Sequence, residues 1–207
     1  MKSHKILILL LLFIGIPVSI YFFGDFPRRT LLKEAISVVT IVSFFMMLLQ
    51  FYLSRFNKSL DKEVKKSKVV AWHKVLGYVF VSILLLHPLL IVLPQYANNG
   101  LTPWEALGSL LGQWNTYGVA MGMLAWILML VIGVLSAFRN KLNMKYTNWR
   151  LLHGWLSLVF VTVAALHVVS LGRHINASMD VLIALIIASI FWLTFNTYVK
   201  PQKQKTL

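Results

Sequence analysis

The chain has 207 residues, of which 58% are hydrophobic and 13% charged, none is cysteine, and the formal net charge is +14. Soluble domains have about 45–50% apolar and about 25% charged residues, so this composition excludes a soluble globular domain. The lack of cysteine excludes disulfides, iron–sulfur clusters and thiolate zinc sites, and the basic excess must serve either membrane orientation or an anionic partner such as nucleic acid.

Six apolar segments have the length of about twenty residues that crosses a bilayer core of about 30 Å. They predict an all-α integral membrane protein, in which residues 1–207 form one six-helix transmembrane domain with both termini cytoplasmic. The first segment is predicted to be retained, because its long apolar run ends without the small-residue pattern of a cleaved signal peptide. The predicted spans are Ile6–Phe23, Leu31–Leu53, Val69–Leu93, Tyr117–Phe138, Trp149–Leu171 and Ser178–Val199.

The basic residues are distributed unequally between the two sides of this arrangement. Sixteen of the twenty lysines and arginines fall on the side of the termini, and only Arg28, Arg29, Lys33 and Arg173 fall on the other. The positive-inside rule therefore places the termini and the second and fourth loops in the cytoplasm, so that spans three and five both run outward. This topology accounts for the charge without nucleic acid, and it predicts a multi-pass membrane protein.

The third loop contains a helix-start signal. Thr102 and Glu105 have the spacing of a capping box, with Pro103 at the first helical position, and they predict a short helix. Its apolar face is predicted to lie along the membrane surface or to cap the bundle. That face consists of Trp104, Leu107, Leu111 and Trp114, which recur at helical spacing.

Four of the six histidines, His73, His87, His153 and His167, fall within spans three and five. An ionisable residue inside a span is a functional hypothesis by default, because burying it in lipid costs free energy. The two histidines of each span are fourteen residues apart, which is nearly four turns of helix. They therefore share a face but lie about 21 Å apart along the axis, too far to bind one ion.

Because spans three and five run in the same direction, His73 and His153 lie at one depth and His87 and His167 at another. Two ligands per level do not suit zinc, and the absence of carboxylates deep in the spans argues against a proton-coupled transporter. A macrocycle that brings four nitrogens needs only two axial ligands, so the pattern predicts two haems. With both axial positions occupied, electron transfer is favoured over chemistry at the iron.

Phe80 and Phe160 each follow the first histidine of their span by seven residues, on the same faces. They are candidates for a position between the two macrocycles, and an ordinary core role remains open. No Cys-x-x-Cys-His motif occurs, so the haems are predicted to be non-covalent b-type groups (heme b).

The residues around these histidines resemble a known family, the ferric reductase-type transmembrane domain superfamily. This superfamily includes the membrane half of NADPH oxidases and ferric reductases and the short bacterial haem proteins of the MsrQ (YedZ) type. The resemblance covers essentially the whole chain, and the paired histidine spacing is its specific part. It is carried by Trp72-His73-Lys74-Val75-Leu76-Gly77, His87-Pro88, Trp149-Arg150-Leu151-Leu152-His153-Gly154 and His167.

The resemblance implies two b-type haems stacked across the membrane, an inner one on His73 and His153 and an outer one on His87 and His167. It implies electron transfer across a bacterial inner (cell) membrane, from a cytoplasmic donor to an outer acceptor such as ferric iron, oxygen or a periplasmic reductase partner. NADPH oxidases continue into a flavin and nicotinamide domain, whereas this chain shows no glycine-rich nucleotide fingerprint. The expected donor is therefore a separate flavin reductase, a flavodoxin-like protein or membrane quinol.

Two other functions remain open: a haem or metal transporter, and a structural haem-binding subunit. Spans three and five lack the proline or paired glycine between their histidines that a broken transporter helix would show.

Arg173 and His174, where span five ends, are candidates to pair with haem propionates, to contact the acceptor, or to lie in a solvated loop. A group of lysines and arginines on the cytoplasmic loops is predicted either to dock the electron donor through charge or to contact anionic lipid. These residues are Lys58, Lys62, Lys65, Lys66, Lys68, Arg139, Lys141 and Lys145.

Overall fold

The computed structural model describes residues 4–27, 29–55 and 64–198. Over these ranges the chain is helical without a strand, and six helices are long and apolar enough to cross a membrane. The predicted all-α, six-span integral membrane protein is therefore confirmed. The helices are α1 (His4–Phe23), α2 (Leu31–Arg55), α3 (Lys66–Asn99), α4 (Pro103–Gly112), α5 (Tyr117–Ala137), α6 (Tyr146–Leu171) and α7 (Ala177–Tyr198).

The helices of the third and fifth spans are longer than the apolar segments predicted. Helix α3 has 34 residues, about 51 Å, which exceeds a bilayer core of about 30 Å. It ends at Gly100, whose φ of 67° is the left-handed conformation that glycine adopts readily at a helix end. The helices continue through polar residues at their ends, beyond the apolar segment. A prediction from hydropathy alone therefore makes these helices too short.

Helix α4 begins at the predicted capping box. The backbone N–H of Thr102 donates to Glu105 Oε2 at 2.9 Å, and the backbone N–H of Glu105 donates to Thr102 Oγ1 at 3.3 Å. The hydrogen bonds from Thr102 hold the pKa of the Glu105 carboxyl below its usual value. The predicted face is wrong for Trp114, because α4 ends at Gly112. Trp104 is 80% exposed and does not cap the bundle, and a position of this face along the membrane surface stays a prediction.

The core lies around α2 and α6. Helix α5 packs most extensively against α6, and α2 packs most extensively against α3. The backbones of α3 and α6 approach each other at few points, so the space between these two helices is bridged by side chains. Since six apolar helices follow one another, α1 begins and α7 ends at the same end of the bundle. We call this the terminal end and the other the opposite end.

Candidate functional site

The four intramembrane histidines meet in two pairs across the space between α3 and α6. The ring centroids of His73 and His153 are 6.4 Å apart, and those of His87 and His167 are 6.5 Å apart. The rings are inclined by 76° in both pairs. The first pair lies toward the terminal end and the second toward the opposite end, so the same arrangement is repeated at two depths.

The centroid distances can be compared with two ways of joining imidazoles. A direct hydrogen bond of about 2.9 Å would bring the ring centroids to about 5 Å. Metal–imidazole bonds of about 2.0 Å on opposite sides of one metal would place them about 6 Å apart. The observed separations match the second case, and in the described residues no group of three His, Asp or Glu side chains could hold a metal. Each level therefore fits a group that brings its own equatorial ligands, as haem does.

Helix α5 orients the histidine of the opposite-end pair that lies on α6. The Nδ1–H of His167 donates to the backbone carbonyl of Gly118 at 2.8 Å, and the ring packs on Gly122, where an added Cβ would lie 2.5 Å from Nδ1. The hydrogen bond fixes the tautomer and leaves Nε2 unprotonated and able to bind a metal. These two glycines were missed in the sequence, where the available signal was their four-residue spacing within a span.

The terminal-end histidine of α6 is supported by two other side chains. Nδ1 of His153 lies 3.3 Å from Ser136 Oγ, and the His153 ring stacks on Trp149 with centroids 5.0 Å apart and planes inclined by 19°. Ser136 follows Gly122 by fourteen residues on α5. The same face of α5 therefore supports both histidines of α6.

The α3 histidines are held differently. Nδ1 of His73 and Nδ1 of His87 are buried without a hydrogen-bond partner in the described part of the chain. A buried nitrogen without a partner costs free energy, and in this respect the two α3 rings differ from His153 and His167, whose Nδ1 atoms have partners on α5.

A tryptophan on α5 forms a hydrogen bond with the backbone of α3 close to His87. Trp126 Nε1 donates to the backbone carbonyl of Leu85 at 3.0 Å. Pro88 has no N–H, so α3 lacks one of its own backbone hydrogen bonds at this point. The interhelical bond therefore adds a connection where the helix is weakened, close to a candidate ligand.

The two phenylalanines singled out in the sequence belong to the packed interior. Phe160 is buried in the main core cluster, and Phe80 is half-buried and packs against that cluster. In sequence they lie midway between the histidines of their helices. The structure thus gives both rings a packing role, and a role between cofactors stays a prediction.

The two residues that follow α6 have different environments. His174 is 7% exposed, its Nε2 lies 2.9 Å from Arg29 Nη2, and its ring contacts Tyr21 and Phe26. Arg29 also pairs with Glu34 at 3.0 Å. The expectation of a solvated loop is therefore wrong for His174, which holds the α1–α2 connection against the end of α6, whereas Arg173 is exposed.

Arg29, Arg173 and His174 line a cavity of about 250 Å³ together with Phe26 and Pro27. The sequence analysis did not identify Arg29 as a site residue, because in the sequence Arg29 was notable only as one of the few basic residues on the outer side under the positive-inside rule. Glu34 balances the charge of Arg29, and the exposed Arg173 adds a further positive charge to the lining of this cavity.

Replacing His174 with alanine should lower the thermal unfolding midpoint in detergent. The substitution leaves the Arg29 guanidinium without one of its partners and empties a buried site, which costs about 1–3 kcal/mol. The matched control is Arg173→Gln, an exposed change expected to stay within about 0.5 kcal/mol. Equal midpoints for the two variants would contradict the buried contact.

Comparison with known proteins gives two findings. A family model described as a ferric reductase-like transmembrane component matches residues 39–170, a range that contains all four paired histidines and ends before Arg173. A protein of Archaeoglobus fulgidus, described as uncharacterized, is 35% identical over 161 residues, which are 78% of this chain and 87% of that protein. No solved structure matches.

Proposed function

Since this chain belongs to the ferric reductase-like transmembrane family, we propose that it carries electrons across a cell membrane through two non-covalent b-type haems. Transmembrane electron transfer in general follows from the family. The proposal adds the ligands: His73 with His153 for one haem, and His87 with His167 for the other. The observation that carries it is the pair of ring separations, 6.4 and 6.5 Å, repeated at two depths.

The residues of the chain would bind and orient the haems and keep water from them. Ser136 and the Gly118 carbonyl would set the ring planes of the two α6 histidines, and Gly122 would leave room for one of them. When bound, each haem supplies an iron that takes up and releases one electron. The two histidines of each pair would both be taken up in holding a haem, which would favour electron transfer over oxygen chemistry at the iron.

The charge distribution supports an orientation with the terminal end in the cytoplasm. His73 and His153 would then hold the inner haem, and His87 and His167 the outer one. Lys65, Lys68 and the basic connection between α5 and α6 would face the cytoplasm. Other cations counted for this orientation, including Lys58, Lys62, Lys200, Lys203 and Lys205, lie outside the described residues.

The donor and acceptor follow from this orientation as proposals. The sequence of this domain contains no glycine-rich nucleotide fingerprint, so the donor would be bound outside it, on a flavoprotein or as membrane quinol. The acceptor would be an outer-side ferric chelate, oxygen or a reductase partner. Family membership alone does not choose among them, because one fold serves several partners.

Electron transfer can be tested with the haem-loaded protein in sealed vesicles that contain dithionite and have ferricyanide outside. We expect external ferricyanide to be reduced faster than in protein-free vesicles, because the two haems would form the only route through the bilayer. The control is protein with His87→Ala and His167→Ala, which should give the rate of empty vesicles. An equal rate with and without protein would overturn the proposal, and haem captured by apomyoglobin outside would indicate a transporter instead.

A further inference from the structure

A row of stacked side chains connects the terminal-end surface to His153. The centroids of Tyr146 and Trp149 are 5.9 Å apart with planes inclined by 18°, and those of Trp149 and His153 are 5.0 Å apart with planes inclined by 19°. The guanidinium carbon of Arg139 lies 4.5 Å from the Tyr146 centroid and 5.2 Å from the Trp149 centroid. We call these residues, Arg139, Tyr146, Trp149 and His153, the terminal-end stack.

The helical geometry of α6 produces this row. Its three rings are at positions 146, 149 and 153, a spacing of three and then four residues that places them on one face of the helix. Helix α6 has 26 residues, about 39 Å, so its first turn extends beyond a lipid core of about 30 Å. Tyr146 is accordingly 54% exposed, whereas Trp149 is half-buried.

The other histidine of α6 has no such row. Within the part of the chain that the structure describes, no aromatic side chain stacks on His167, whose ring instead packs on Gly122 and bonds to the Gly118 carbonyl. The stack therefore distinguishes the terminal-end pair from the opposite-end pair. If a buried histidine needed an aromatic neighbour only for packing, His167 would have one as well as His153.

The surroundings of Tyr146 are positively charged. Lys141, Lys145 and Arg150 lie on the same connection and first turn, and no acidic residue occurs between Glu105 and Asp180. A water-soluble donor with negative charge would be attracted to this surface, whereas a neutral quinol in the lipid would not. The ring of Tyr146 is exposed within this basic segment and has the Arg139 guanidinium against it.

We propose that Trp149 is a positioning residue for His153 and that the exposed ring of Tyr146 is the contact point of an anionic flavin donor. This inference rests on the proposed function and identifies where electrons enter. One dihydroflavin would be oxidised to flavin, two ferric haem irons would each gain one electron, and two protons would pass to the water at this end. The stack removes the need for the donor to reach His153 itself.

The test uses haem-loaded protein in detergent, reduced FMN as the probe, and the variants Trp149→Leu, Trp149→Phe and Tyr146→Leu. Trp149→Leu should change the low-spin electron paramagnetic resonance g values of one haem and slow its reduction about tenfold. Trp149→Phe, which keeps a stacked ring, should restore both. Tyr146→Leu should slow reduction by FMN at unchanged g values, and the rate should stay salt-dependent because the variant keeps all the basic residues.

Matched controls are Trp192→Leu and Tyr78→Leu, which remove equally large exposed rings from α7 and α3. Both should leave g values and reduction rates as in the parent protein. Parent-like reduction by FMN in Trp149→Leu and Tyr146→Leu, with both haems bound, would overturn the inference while transmembrane transfer still stands. A quinol analogue that reduces the protein as fast as FMN, independently of Tyr146, would also overturn it. Parent protein without haem would instead refute the proposed function.

Discussion

The protein with His167→Ala is expected to retain one haem per chain, where the unchanged protein is expected to hold two. In the proposed site His167 and His87 would hold this haem together, so the substitution would remove one of the two ligands and the ring that bonds to the Gly118 carbonyl. The His73 and His153 pair lies about 21 Å away along the helices and should keep its own haem. Haem extraction and quantitation against protein concentration measures the ratio, and the remaining spectrum should be six-coordinate and low-spin.

The same experiment on the other ligands completes the prediction. His87→Ala should give the same loss as His167→Ala, and replacement of all four histidines should leave no haem. His4→Ala is the matched control, because His4 is exposed at the start of α1. A ratio near one in fully loaded parent protein, or a spectrum that none of the substitutions alters, would contradict the two-haem assignment.

Gly122→Ala is expected to cause nearly the same loss as removal of His167. The new Cβ would lie 2.5 Å from His167 Nδ1 and 2.6 Å from its Cε1, closer than real Cβ contacts. The ring must move, and overpacking of this kind costs about 1–3 kcal/mol. Haem retention at the outer level should fall about tenfold or more, measured by haem-to-protein ratio after dilution.

Gly133→Ala provides the control on the same helix and, eleven residues later, on nearly the same face. An added Cβ there meets only Val81 Cγ1, at 3.9 Å, which is ordinary van der Waals contact. This variant should bind two haems and should be at least as stable as the parent, since alanine favours a helix over glycine. Equal haem retention in the two glycine variants would show that the ring position of His167 is not critical.

Span number and histidine pairing were accessible from the sequence because each depends on a local repeat. A run of about twenty apolar residues crosses a bilayer whatever its neighbours are. A fourteen-residue spacing places two side chains on one face of any α-helix, and parallel spans three and five then align His73 with His153 and His87 with His167. The capping box at Thr102 is equally local, since its hydrogen bonds join residues three apart.

The supporting contacts could not be read in the same way, because they depend on which helices are neighbours and how each is rotated. Gly122 packs on His167, Ser136 lies beside His153 and Arg29 contacts His174, over separations of 45, 17 and 145 residues. No periodicity within one helix encodes such a distance. Only tertiary packing, in which α5 lies against α6 and the α1–α2 connection closes over the end of α6, brings these side chains together and determines their roles.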